Sequence, residues 1–178
     1  AWHINRSEYA AAEQCFQTAI RLAPGYAPSY VNYADFLRKA KREPAAAEVL
    51  RDGIATATEP ADANHALGLL LISQGDKEGA LSLLKEAVVL RESSARFAFV
   101  YAVALHEAGR LEPSLVILEG ALAHHPWDRD SLQTLALYAM ENGQPERARA
   151  PAERLAQLAP NDPRSRNLLA QIEEALRE

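Results

Sequence analysis

One spacing constrains this chain more than any other: residues of like size recur every 34 positions along its length. Stepping by 34 from Ala34 reaches Gly68, Ala102, Ala136 and Ala170, all small. From Tyr33 the same step reaches Leu67, Tyr101, Leu135 and Leu169, all large. Ala12 leads to Ala46, Ala80, Ser114 and Ala148; Phe16 leads to Leu50, Leu84 and Leu118, and only Ala152 breaks that column. The register never slips. A repeat of this length is one supersecondary unit that cannot bury its apolar face alone, so the units must stack.

Within each unit the pattern predicts two helices. The first carries bulky residues at i, i+3 and i+7 and a small one at i+4, as in Tyr30, Tyr33, Leu37 and Ala34. The small residue lets the partner helix approach. A turn is predicted at Lys41, Gly75, Gly109 and Gly143, where glycine suits a left-handed helix end. The second helix presents small, large and small residues, as in Ala80, Leu84 and Ala87. Pro44, Pro113 and Pro145 fall in its first turn, where a missing N–H costs little.

The stretch Asn64, Leu67-Gly68, Leu71, Ala80, Leu84, Ala87 resembles the tetratricopeptide repeat (TPR) pattern W-x2-L-G-x2-Y…A-x3-F, without its tryptophan. The resemblance implies an all-α fold, a right-handed α-solenoid of helix-turn-helix units. The expected divisions are 1–26 (second helix of a truncated first repeat), four repeats at 27–60, 61–94, 95–128 and 129–162, and a capping helix at 163–178. Asn64 and Ala98 replace the usual bulky first residue and should loosen those contacts. Pro151 falls about two turns into a second helix, and the final hairpin is expected to bend or become irregular there.

Composition narrows the function. A net charge of −5 and a pI near 5.6 argue against a nucleic-acid partner. The densest basic cluster, RKAKR at 38–42, reads as a solvated helix end. No apolar run approaches 18 residues, so no membrane insertion is expected. The first ten residues lack the basic start and apolar block of a signal peptide, and the compartment, cytoplasmic or periplasmic, stays open.

Motifs for phosphate cradles, serine or zinc hydrolysis, thiol redox chemistry and haem attachment are missing from the sequence. His124 and His125 suit a helix C-terminus better than a metal site. Cys15, beside Phe16, reads as a small buried or half-buried filler. The chain therefore reads as a non-enzyme with no cofactor and no metal.

What remains is a helix flank. In the TPR family the first helices line the concave face. Positions 31, 35 and 38 lie within about 60° of one another, away from the second helix. Stepping by 34 turns them into three columns: Val31, His65, Phe99 and Gln133; Asp35, Leu69, Val103 and Leu137; Arg38, Ile72, His106 and Met140. Asn167, Gln171 and Glu174 continue them as a polar end. The middle members form an apolar strip with a polar rim, a pattern suited to a helix or extended peptide. Covering it contributes on the order of 5–10 kcal/mol gross, much of it offset by ordering.

The partner read from these columns is a protein or peptide with an apolar segment. The carboxylate clamp of one TPR subclass is not carried over, because Val31, Asp35, His65, Ala66, Leu69 and Val100 stand at its positions. Alternative readings remain. Neighbouring first helices could consume the same flank in packing. The chain could equally be a structural or oligomerising module of a larger bacterial protein. It also resembles the repeat tails of multi-haem cytochromes, whose haem motifs would then lie upstream. The chain is expected to continue upstream, and its N-terminal helix to fray or to form a homodimer through Trp2, Tyr9 and Phe16.

Overall fold

In the computed structural model the described residues are 6–177, with side chains from residue 9 onward. They form ten α-helices and no strand. A first unit, Ala1–Arg91, holds α1 (Arg6–Leu22), α2 (Ala27–Lys39), α3 (Glu43–Thr56), α4 (Ala61–Gln74) and α5 (Lys77–Leu90). A second, Glu92–Glu178, holds α6 (Ala95–Glu107), α7 (Leu111–His124), α8 (Arg129–Glu141), α9 (Pro145–Leu158) and α10 (Pro163–Ala175).

The first helix of each hairpin ends in a left-handed turn. Lys41, Gly75, Gly109 and Gly143 all adopt positive φ, at 62°, 83°, 75° and 68°. The next N–H then folds back onto a carbonyl five residues earlier: Arg42 to Leu37, Asp76 to Leu71, Arg110 to Leu105, Gln144 to Ala139, all at 2.9–3.0 Å. These are Schellman closures, which satisfy carbonyls the helix leaves open. Four helix starts are capped by side chains. The side chains of Asp76, Ser94, Asp128 and Asp162 accept backbone N–H bonds from Gly79, Phe97, Ser131 and Arg164.

Helices pair as hairpins: α2 with α3, α4 with α5, α6 with α7, α8 with α9. In the first unit the core joins Tyr33, Ala34 and Leu37 of α2 to Ala46 and Leu50 of α3 and Leu67 and Leu70 of α4. In the second it joins Ala102, Leu115, Leu118, Leu132, Leu135, Ala136, Ala152 and Ile172. Each fully buried leucine contributes roughly 2 kcal/mol by leaving water. Small residues set the approach. A Cβ added at Gly68 would lie 2.8 Å from Leu84 Cγ. Asn64, at a position expected to be loosely packed, is buried, and its amide donates to the Pro60 carbonyl at 3.1 Å.

Helix α9 stays helical through Pro151, without the local irregularity expected there. The ring's fixed φ is compatible with a helix, so a single lost N–H need not end it. The buried ring instead lines a hollow of about 310 Å³ with Leu122, Ala123, Arg147 and Arg154. Cys15 is exposed, not a filler. On α1 the side facing α2 belongs to Tyr9 and Phe16, and Cys15 is turned about 100° from Phe16.

Candidate functional site

The flank residues divide between the two units. In the first unit, α2 supplies Val31, half-buried against the core, with Asp35 and Arg38 exposed and joined at 3.4 Å. Helix α4 supplies Leu69 and Ile72, both half-buried, and His65, which is 3% exposed. His65 is thus part of the packed interior, although it shares its column with surface residues.

In the second unit, α6 contributes Phe99, Val103 and His106, all half-buried. Helix α8 contributes Gln133, exposed; Leu137, 47% exposed; and Met140, half-buried. Phe99 and Met140 pack partly against the core cluster, so only part of each ring or thioether is available. Leu137 is the large apolar side chain that stays most open among these positions. Beyond it, Asn167, Gln171 and Glu174 of α10 are exposed.

One arrangement was not legible in the columns. The His106 ring stacks on Tyr138 with centroids 3.7 Å apart and planes 7° from parallel. Its Nε2 lies 2.8 Å from Glu141 Oε2. Two side chains of α8 thereby hold one side chain of α6. Burial, and then the negative charges of Glu107 and Glu141, raise the Tyr138 phenol above its ordinary pKa. The pairing crosses columns, so a fixed step of 34 could not find it.

Two other charged networks tie helices together. Tyr33 donates to Glu13 at 2.6 Å, and Arg42 reaches the other oxygen at 2.8 Å. Arg147 of α9 donates to Glu119 at 2.8 Å and Glu112 at 2.7 Å on α7. His125 meets the Ser93 carbonyl, a fastening rather than a ligand set. Among the described residues, no group of three or more His, Cys, Asp or Glu could hold a metal ion.

Of the three rings expected at a dimer contact, those of Tyr9 and Phe16 pack within the chain. Trp2 lies outside the described residues. Tyr9 packs on Phe36 at 5.5 Å, and Phe16 on Phe36 and Tyr33 at 5.3 and 5.7 Å. Those rings are engaged with α2. The open side of α1 is instead lined by Ala11, Cys15, Thr18, Ala19 and Leu22, the last 77% exposed.

One tetratricopeptide-repeat family model matches residues 3–62 and 65–125, and a second matches 114–172. The chain belongs to the tetratricopeptide repeat family. Its helical hairpins are TPR units of an all-α solenoid fold, and solved structures agree. A MamA crystal structure is 15% identical, with a TM-score of 0.68 over 86% of this chain and 84% of that one. YrrB, described as a TPR protein with an unusual peptide-binding site, is 18% identical, with a TM-score of 0.67 over 94% and 84%. PilF of Pseudomonas aeruginosa is 18% identical, with a TM-score of 0.66 over 93% and 75%. At such identities the TPR likeness is one of fold. No curated protein matches significantly. No described helix is long and apolar enough to cross a membrane.

Proposed function

We propose that this TPR protein is an interaction scaffold that receives an apolar segment of a protein partner on the open faces of its first helices. The repeats at 27–60, 61–94, 95–128 and 129–162 present those faces. The observation that carries the reading is Leu137, 47% exposed, with half-buried Phe99 and Val103 on α6 and Met140 on α8 of the same unit. A leucine held open on a packed helix gains most by being covered. In the first unit Leu69 and Ile72 offer a smaller equivalent. TPR proteins are generally non-enzymatic scaffolds, and no catalytic role is assigned.

Affinity capture of partners with wild type and with Leu137→Glu and Leu69→Glu tests this reading. Both variants should keep wild-type helicity and lose the partner. Unfolding of both would place these residues in the core. Partners retained by both folded variants would move the site elsewhere.

A second reading is favoured by α1. Ala11, Cys15, Ala19 and Leu22 line an open hollow of about 520 Å³ that a second copy could fill. Sedimentation velocity of wild type and Leu22→Glu distinguishes the two: an oligomerising module shows a concentration-dependent dimer that the substitution removes.

A further inference from the structure

We propose that the hollow between α7 and α9 is a binding site for a small organic acid. Its carboxylate meets Arg154, and a compact apolar body, one aromatic ring or a branched alkyl chain, lies over Leu122 and Pro151. The site is formed on second helices, not on the first-helix faces proposed above, and stands independently of them.

Two departures from the repeat coincide there. Pro151 occupies the column of Val49, Leu83 and Ile117, and Ala152 that of Leu50, Leu84 and Leu118. Both changes remove volume from the middle of α9. Leu155, in the column of Ala87 and Ala121, restores some of it one turn on, where it lines a separate recess with Gln133 and Ser165. What stays open, about 310 Å³, is walled by Leu122, Leu135 and Pro151, with Ala123 and Ala150 exposed at its mouth. An interior proline and an unfilled hollow each cost stability. Local costs of this kind gather at functional sites.

Charge changes at the same place. Arg154 stands where the other repeats have Thr18, Asp52, Glu86 and Gly120, so it is the single cation of its column. Arg147 replaces Ala11, Ala45, Gly79 and Pro113. The two arginines lie about two turns, roughly 10 Å, apart along α9. Their surroundings differ. Arg147 is held by Glu119 at 2.8 Å and Glu112 at 2.7 Å, which neutralise that end of the hollow. Arg154 is half-buried, forms no ion pair among the described residues, and donates to the Pro126 carbonyl at 3.4 Å. That long neutral contact leaves its planar fork open to a carboxylate, whose charge-assisted bonds run at about 2.7–2.9 Å and are roughly twice as strong. The volume sets the size of the body. It falls at the lower end of the roughly 300–1,000 Å³ of small-molecule sites, which suits one ring or a short branched chain.

Titration of the whole chain with phenylacetate, isocaproate, acetate and the neutral phenylacetamide, followed by methyl NMR, tests the site. Phenylacetate and isocaproate should shift the methyl signals of Leu122, Ala123 and Ala150, while phenylacetamide and acetate bind about tenfold or more weakly. Arg154→Gln should weaken phenylacetate about tenfold and leave phenylacetamide unchanged. Ala123→Phe, at the exposed mouth, should exclude both. Circular dichroism checks that each variant folds. If Arg154→Gln does not, the difference between acid and amide in wild type decides the role of charge. No shift at these methyls with either acid at up to about 10 mM, or unchanged binding by folded Ala123→Phe, would overturn the site. Equal binding of phenylacetate and phenylacetamide, or of phenylacetate to wild type and folded Arg154→Gln, would overturn the placing of the carboxylate on Arg154.

Discussion

The side chain of Tyr30 lies against the backbone of Gly53: a Cβ placed on that glycine would sit 2.8 Å from both Cβ and Cγ of Tyr30. The tyrosine cannot easily move, because its hydroxyl donates to the Pro24 carbonyl at 2.9 Å and its side chain is 4% exposed. Gly53→Ala should therefore destabilise the protein by about 1–3 kcal/mol despite alanine's better helix propensity. A denaturant titration showing equal or higher stability would refute the close approach.

Gly68 makes the equivalent contact between α4 and α5, with Leu84 Cγ at 2.8 Å and Cδ2 at 2.9 Å. Gly68→Leu should overpack this hairpin, again at a cost of roughly 1–3 kcal/mol. Gly120, with no atom near enough to obstruct a Cβ, serves as the control. Gly120→Ala should stabilise α7 by about 0.5–1 kcal/mol.

The left-handed turn residues make opposite predictions. Lys41, at φ 62°, does what glycine does at the three other turns. Lys41→Gly should stabilise by up to about 1 kcal/mol, and Gly75→Ala should destabilise by about 1–2 kcal/mol, with no steric neighbour involved. Thermal melts of the two variants should shift in opposite directions.

A pH dependence follows from Glu13. Hydrogen bonds from Arg42 and then Tyr33 hold its carboxyl below the ordinary value. A depressed carboxyl contributes stability above its unfolded pKa and loses it as pH falls through the folded value. Tyr33 is raised, chiefly by burial and then by Glu13, so its contribution is present below the ordinary tyrosine range and lost as pH rises through the folded pKa. Glu13→Gln should flatten the acid limb of melting temperature against pH and leave neutral helicity unchanged. An unchanged acid limb would mean the pair contributes nothing.

The helices and their ends are legible in the residues because their causes are local. Glycine at 75, 109 and 143 tolerates the left-handed turn, and alternating small and large residues define which side of a hairpin closes. Pro151 marks where local reasoning stops. Locally a proline is a missing hydrogen bond, whereas in the folded chain the buried ring lines a hollow with Leu122 and Ala123 and α9 continues past it.

The sequence by itself determined the hairpin length, the turn positions and the apolar face of each helix. Which flank residues face water was decided only by tertiary structure. His65 and Gln133 occupy one column, yet the first is buried and the second exposed. Periodicity specifies a direction around one helix axis, but burial depends on the volumes that other helices bring to that side. For the same reason His106 found Tyr138 and Glu141 across a helix boundary, a contact that depends on how α6 and α8 lie against each other.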